Sequence, residues 1–221
     1  AAMNGVGHSR RSEPRMIDLY IGVDPGPRSS GLVVYEYQRH RRTGRVIFAN
    51  KAAELRQLRE WLEFGASDMR GSRAPWRIRR LRRDRYGDSD WGPVSRVTVV
   101  LERTTAGPPS RAVVATTEVC GRVLEMAHQG RYWHADAPAP PPGPRMICTL
   151  YRREILSALD IKGGTGADKR VRARMLELHG GEKRVAVGSK ACPGPLYGVS
   201  VHAWQALGAV IAQIQSNQVK A

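Results

Sequence analysis

The hydrophobic pattern opens with two apolar runs across a turn. Residues 19–23 (LYIGV) are apolar apart from Gly22 and stop at Asp24-Pro25-Gly26, and residues 31–37 (GLVVYEY) resume the run. The pair reads as an antiparallel hairpin whose first strand ends in an acid. Residues 45–50 (RVIFAN) predict a third strand, and residues 52–64 a helix with Leu55, Leu58, Trp61 and Leu62 on one face, ended by Gly65. Residues 97–102 (VTVVLE) are the cleanest buried strand, and it too ends in an acid, Glu102. Ser110 is placed to cap a helix running to about residue 129, with Val113, Val114, Val119 and Val123 apolar-facing and Gly130 closing it. Residues 132–137 read as a further strand, and Pro138, Pro140, Pro141, Pro142 and Pro144 make the next segment extended.

Three helical patterns complete the chain. Residues 150–159 space Tyr151, Ile155 and Leu159 four apart. In residues 165–178, Thr165 and Asp168 form a capping-box-like start, Val171, Met175 and Leu178 an apolar face, and Gly180-Gly181 a stop. Residues 201–215 read as an amphipathic helix, with Trp204, Leu207, Ile211 and Ile214 toward the core and His202 and Gln205 three apart on a neighbouring face. Strands and helices thus interleave along the chain, as in an α/β domain.

Composition adds a partner class. The 221 residues suffice for one core, so one domain at residues 17–216 is expected, preceded by a flexible basic arm over residues 1–16. Thirty-six Lys plus Arg against 20 Asp plus Glu leave a formal charge of +16, which favours a polyanion, most commonly nucleic acid. No apolar run reaches spanning length, so no membrane partner is expected. Cys120, Cys148 and Cys192 are odd in number, far apart and without C-x-x-C spacing, which argues against a disulfide framework or structural zinc and for a reducing compartment. Between residues 66 and 95, Arg70, Arg73, Arg77, Arg79, Arg80, Arg82, Arg83 and Arg85 alternate with Trp76, Tyr86 and Trp91. Two readings stand level for this insertion: a surface for phosphates and unpaired bases, with Arg77, Arg80 and Arg83 as contacts, or a solvated loop paired locally with Asp84, Asp88 and Asp90.

Candidate chemistry rests on acids at strand ends. Asp24 and Glu102 occupy equivalent positions after buried runs, where two carboxylates can share a metal ion. Singly, each has a bland explanation, an Asp-Pro-Gly turn and a polar exit from the core. The glycine-rich stretch 162–169 (KGGTGADK) lacks the G-x-x-x-x-G-K-[ST] spacing, so no nucleotide cofactor is expected, and backbone contact with DNA is the better reading. His202 alone would be read as structural.

Taken together, IGVDPG with its GLVVYE strand, VLE ending at Glu102, GGTGADK and HAWQAL resemble, in order over residues 17–213, four motifs of the RuvC-type Holliday-junction resolvases of the RNase H-like superfamily. The resemblance implies an RNase H-like mixed sheet, an antiparallel hairpin plus parallel strands, flanked by helices. It implies a homodimer that cuts branched DNA by phosphodiester hydrolysis in the cytoplasm of a bacterial or phage-infected cell, an organelle being also allowed. Two Mg²⁺ or Mn²⁺ ions would be held by Asp24, Glu102, His202 and, weakly, Gln205, with His202 completing the set or accepting a proton. Arg152, Arg153, Lys162 and Lys169 are assigned to the DNA backbone.

Three departures qualify the match. Gln205 stands where the family usually has Asp, and no acid follows Glu182, which predicts weaker metal binding and better activation by Mn²⁺ than by Mg²⁺. Thr105 stands where members can carry an aromatic, and the Arg-rich insertion has no counterpart in the family pattern. Rival readings are a branched-DNA-binding protein that has lost cleavage, a flap or hybrid nuclease, and a sugar-kinase or actin-like phosphate-binding domain, which would need a second lobe.

Overall fold

A computed structural model describes residues 17–59, 61–62, 94–103, 110–132 and 146–219. The basic arm, most of the Arg-rich insertion with Arg77, Arg80 and Arg83, and Thr105 lie outside the described residues. Five strands, β1 (Ile17–Asp24), β2 (Ser30–Gln38), β3 (Thr43–Ala53), β4 (Val94–Arg103) and β5 (Met146–Tyr151), form one sheet in the order β3-β2-β1-β4-β5. The β1–β2 and β2–β3 pairs are antiparallel, and β1–β4 and β4–β5 are parallel. The expected hairpin and mixed sheet are both present.

Helices cover both faces. On one lie α1 (Leu55–Arg59) and α2 (Arg111–Tyr132), and Leu19, Ile21, Val23, Val34 and Leu101 pack there with Leu58, Trp61 and Val123. On the other lie α3 (Arg152–Ala158), α4 (Ala167–Leu178) and α6 (Ala203–Val219), over Tyr20, Val33, Tyr35 and Val100. The short α5 (Lys183–Ala186) follows α4. The alternation of strand side chains thus divides β1 and β4 between two cores.

Several elements depart from the sequence pattern, each for a local reason. Residues 52 and 53 belong to β3, because the ladder pairs Ser30 with Ala53; helix α1 starts only at Leu55. Ser110 Oγ accepts the Val113 N–H at 3.2 Å as expected of a cap, but α2 runs through Gly130 to Tyr132, so a strand cannot start there; residues 133–137 lie outside the described residues. Residues 146–151 add β5 to the sheet by pairing with β4, so residues 150 and 151 of the helical pattern 150–159 are strand; α3 starts at Arg152, its first turn capped by Glu154, whose carboxylate accepts the Tyr151 N–H at 2.6 Å.

Thr165 does not cap α4. Gly166 occupies that position with φ of 79°, and Asp168 turns elsewhere. Val171 and Met175 are buried as expected, whereas Leu178 is exposed at the end of α4. The last helix is not amphipathic over its first turns: Ala203, Trp204, Ala206, Leu207, Gly208, Ala209, Val210 and Ile211 are all buried, because α6 crosses the middle of the sheet with α3 and α4 beside it. No disulfide joins the three cysteines, and no helix among the described residues is long and apolar enough to cross a membrane.

Candidate metal and phosphate site

The sheet delivers its two acids to one place. Tyr20, Gly22 and Asp24 share a face of β1, as Thr98, Val100 and Glu102 do on β4, and the parallel register that pairs Gly22 with Val100 and Val23 with Leu101 sets Asp24 and Glu102 next in line under α6. This is the carboxyl end of the parallel strands, where open α/β sheets place ligands.

Two glycines let α6 come close enough to close the site. A Cβ on Gly22 would stand 2.5 Å from the Ala206 carbonyl oxygen, and one on Gly31 would stand 2.3 Å from that of His202. The helix therefore rests on bare backbone. Just before it the chain turns through Val201 at φ of 42°, a left-handed backbone that β-branched residues rarely adopt, and this turn presents His202. Gly22→Ala is expected to cost about 1–3 kcal/mol by pushing α6 off β1, as measured by denaturant unfolding; an unchanged midpoint would mean the helix seats otherwise.

His202 Nδ1 lies 3.7 Å from Asp24 Oδ2, with the imidazole 59% exposed at the rim. Asp24 and Glu102 are mostly buried, and both carboxyls are pushed up to about 7. Burial is the main cause for each; Asp24 raises Glu102 further, Asp168 raises both, and Arg152 pulls both down. The Oε2 of Glu102 is buried with no hydrogen-bond partner.

Arg152 is the residue whose place the pattern did not foretell. Leaving β5 beside Glu102, its guanidinium stands 3.5 Å from Glu102 Oε1, donates to Gln205 Oε1 at 2.6 Å and pairs with Asp168 on α4. It sits among acceptors of the chain itself, contacts that its pairing with Arg153 along the sequence does not announce. Gln205, expected beside His202 as a weak ligand, holds that arginine. Asp168, read as a cap, is the third acid of the neighbourhood, and the only hint in the sequence was its position one helical turn from the glycine entry.

The remaining basic residues divide sharply. Arg170 donates to the carbonyls of Lys162, Gly163 and Thr165 and so ties the glycine turn down, and Arg172 stacks over the Trp204 ring. Arg153 lies over the Tyr151 ring. Lys169, with Arg152, Gly164, Gly166 and Asp168, lines a cavity of about 460 Å³ beside the acids.

The donor set suits a divalent cation. Two carboxylates are crowded together with too little positive charge, one buried oxygen lacks a partner, and an imidazole stands at the rim. Yet as the side chains stand, no group of three or more His, Cys, Asp or Glu among the described residues is gathered to hold an ion. Arg152 pairs with Asp168, the remaining acid of the neighbourhood, and with Gln205.

No family model matches the chain, and no curated protein does. Among solved structures, RuvC of Thermus thermophilus in complex with a Holliday-junction substrate superposes with a TM-score of 0.53 at 11% identity, covering 91% of this chain and 96% of that one. A second Thermus thermophilus RuvC structure gives 0.53 at 12% identity with the same coverage. A fowlpox virus Holliday-junction resolvase gives 0.39 at 11% identity over 90% of this chain. The sheet order, the helices on its two faces and the position of α6 across the parallel strand ends therefore build the RNase H-like fold that RuvC has.

Proposed function

We propose that the chain is a divalent-metal-dependent endonuclease acting on branched DNA, with the four-way junction as its preferred substrate. One observation carries this reading: Asp24 and Glu102 meet at adjoining parallel strand ends, under the start of a helix that brings His202 to 3.7 Å from Asp24. The excess of 16 positive charges and the RuvC-like fold support a polyanionic, branched substrate.

Mg²⁺ or Mn²⁺ bound here supplies Lewis-acid charge to a phosphoryl oxygen and makes water a nucleophile near neutral pH. Asp24, Glu102 and His202 would hold it, with Gln205 contributing weakly if Arg152 releases it. The chain's own part is geometric. The two carboxylates give fixed negative charge at one point of the cleft, and the imidazole at its open rim is placed to take a proton from water. Lys162 on the turn that Arg170 braces, Lys169 in the first turn of α4, and Arg153 contact the flanking phosphates. A four-way junction has two-fold symmetry, so two copies of the chain would present two such sites to opposed strands.

The hold of Arg152 on Gln205 favours a second reading, a branched-DNA-binding protein without cleavage. A labelled four-way junction, a flap and an RNA–DNA hybrid incubated with increasing Mg²⁺ or Mn²⁺ separate the two. The nuclease reading expects paired nicks, most efficient on the junction and faster with Mn²⁺; a shifted complex that is never nicked with either ion would leave the binding protein.

A further inference from the structure

Arg152 stands where a chain of this kind needs positive charge and is none of the residues that would hold a metal. We propose that it is a positioning residue that makes metal loading conditional on the arrival of a DNA phosphate, an inference that rests on the nuclease reading above. Its guanidinium spans three acceptors, Glu102 Oε1 at 3.5 Å, Gln205 Oε1 at 2.6 Å and Asp168 Oδ1. A guanidinium keeps its charge at any working pH, so an incoming cation must displace it.

The three contacts are unequal, and the inequality gives the displacement a direction. The leg on Glu102 is the long one, while those on Gln205 and Asp168 are tight, and Asp168 lines the same cavity as Lys169 and the glycine turn. Asp168 is 75% exposed, whereas Glu102 is 13% exposed. Arg152 can therefore swing outward about its tight end. A phosphate in that cavity offers two coplanar acceptors, which an arginine fork takes better than one distant carboxylate oxygen. Once it has turned to the phosphate, the Glu102 carboxylate loses its competing cation and repulsion of a divalent ion falls. Phosphate and metal then each raise the affinity for the other, and by linkage the two effects are equal. Free in solution, the chain binds its ions poorly, which restrains chemistry away from substrate.

The test uses the whole chain without DNA, titrated with Mn²⁺ while free aqueous Mn²⁺ is read by electron paramagnetic resonance. Arg152→Gln is expected to bind Mn²⁺ about tenfold more tightly than wild type, within the range of ordinary coupling between sites. Arg152→Lys, which keeps a charge but cannot span three acceptors, should fall between them and serves if the glutamine variant does not fold. In junction cleavage, where the phosphate has already drawn Arg152 away from Glu102 in wild type, the Mn²⁺ needed for half-maximal rate should differ much less between Arg152→Gln and wild type than it does without DNA, while the variant's maximal rate drops. Equal or weaker Mn²⁺ binding by both variants, with wild type still cutting, overturns the inference and leaves the nuclease standing. A wild-type chain that neither binds Mn²⁺ nor cuts overturns both.

Discussion

Asp24→Asn should abolish junction cleavage, by at least about a thousandfold, while making the protein more stable at pH 8. The loss follows because the amide has no charge to offer a cation at the point where β1, β4 and α6 meet, and removal of a central ligand or charge-stabilising group commonly costs this much. The gain follows from the sign of the titration. Burial moves the Asp24 carboxyl from 3.8 to about 7, so the folded chain binds more protons than the unfolded one between those values. Stability therefore falls as pH rises through this window, and the cost is complete above about 7. A carboxyl so displaced costs the fold up to about 4 kcal/mol once ionised; with a fifth of the side chain in water, about 2 kcal/mol is expected. For a chain of this size that raises the melting temperature by roughly 4–8 °C at pH 8 and hardly at all at pH 4. Melting curves at the two pH values, beside a cleavage assay, check both halves. A variant less stable than wild type at pH 8 would mean the carboxylate is structural. Junction affinity should survive, since the backbone contacts lie elsewhere.

Glu36→Ala is expected to cost about 3–5 kcal/mol, the largest effect on stability away from the site. Glu36 and Arg45 are cross-strand neighbours in the β2–β3 ladder, with Arg45 Nε donating to Glu36 Oε2 at 3.3 Å and both side chains almost wholly buried. Removing the carboxylate takes a counter-charge from a guanidinium that water hardly reaches. Substituting both partners with apolar residues of similar volume, Glu36→Leu with Arg45→Met, should be much milder, because no uncompensated charge is left behind. Urea unfolding of the single and double variants measures the contrast. If the single change cost no more than the double one, the pair would not be acting through its charges.

The sequence carried the outline of the fold because its strands are regular. The runs that became β1, β2 and β4 alternate or stay apolar, and acids end two of them, so the hairpin, the central parallel strand and the two carboxylates could all be read. Strand β5 could not, since MICTLY mixes one cysteine and one threonine into a short run behind five prolines; only pairing with β4 decides it. The last helix was legible as a helix but not as the buried centre of one face, because periodicity reports a helix's own faces and says nothing of neighbours that cover the polar side. The capping role of Asp168 fails, and the surroundings of Arg152 were not legible, for a related reason. A capping position and a basic pair are local patterns, whereas their meeting with Gln205 depends on three elements converging.

The chain order of α6 has a temporal consequence. It follows every other described element, yet it covers the sheet face that holds Tyr20, Val33 and Val100 and brings His202 to the acids. While a ribosome is still making the chain, that half of the interior stays bare and the two carboxylates face solvent without their imidazole. The acids thus meet their imidazole only after residues 202–219 have emerged, and a nascent chain halted before residue 202 holds neither that half of the interior nor the side chain that faces Asp24.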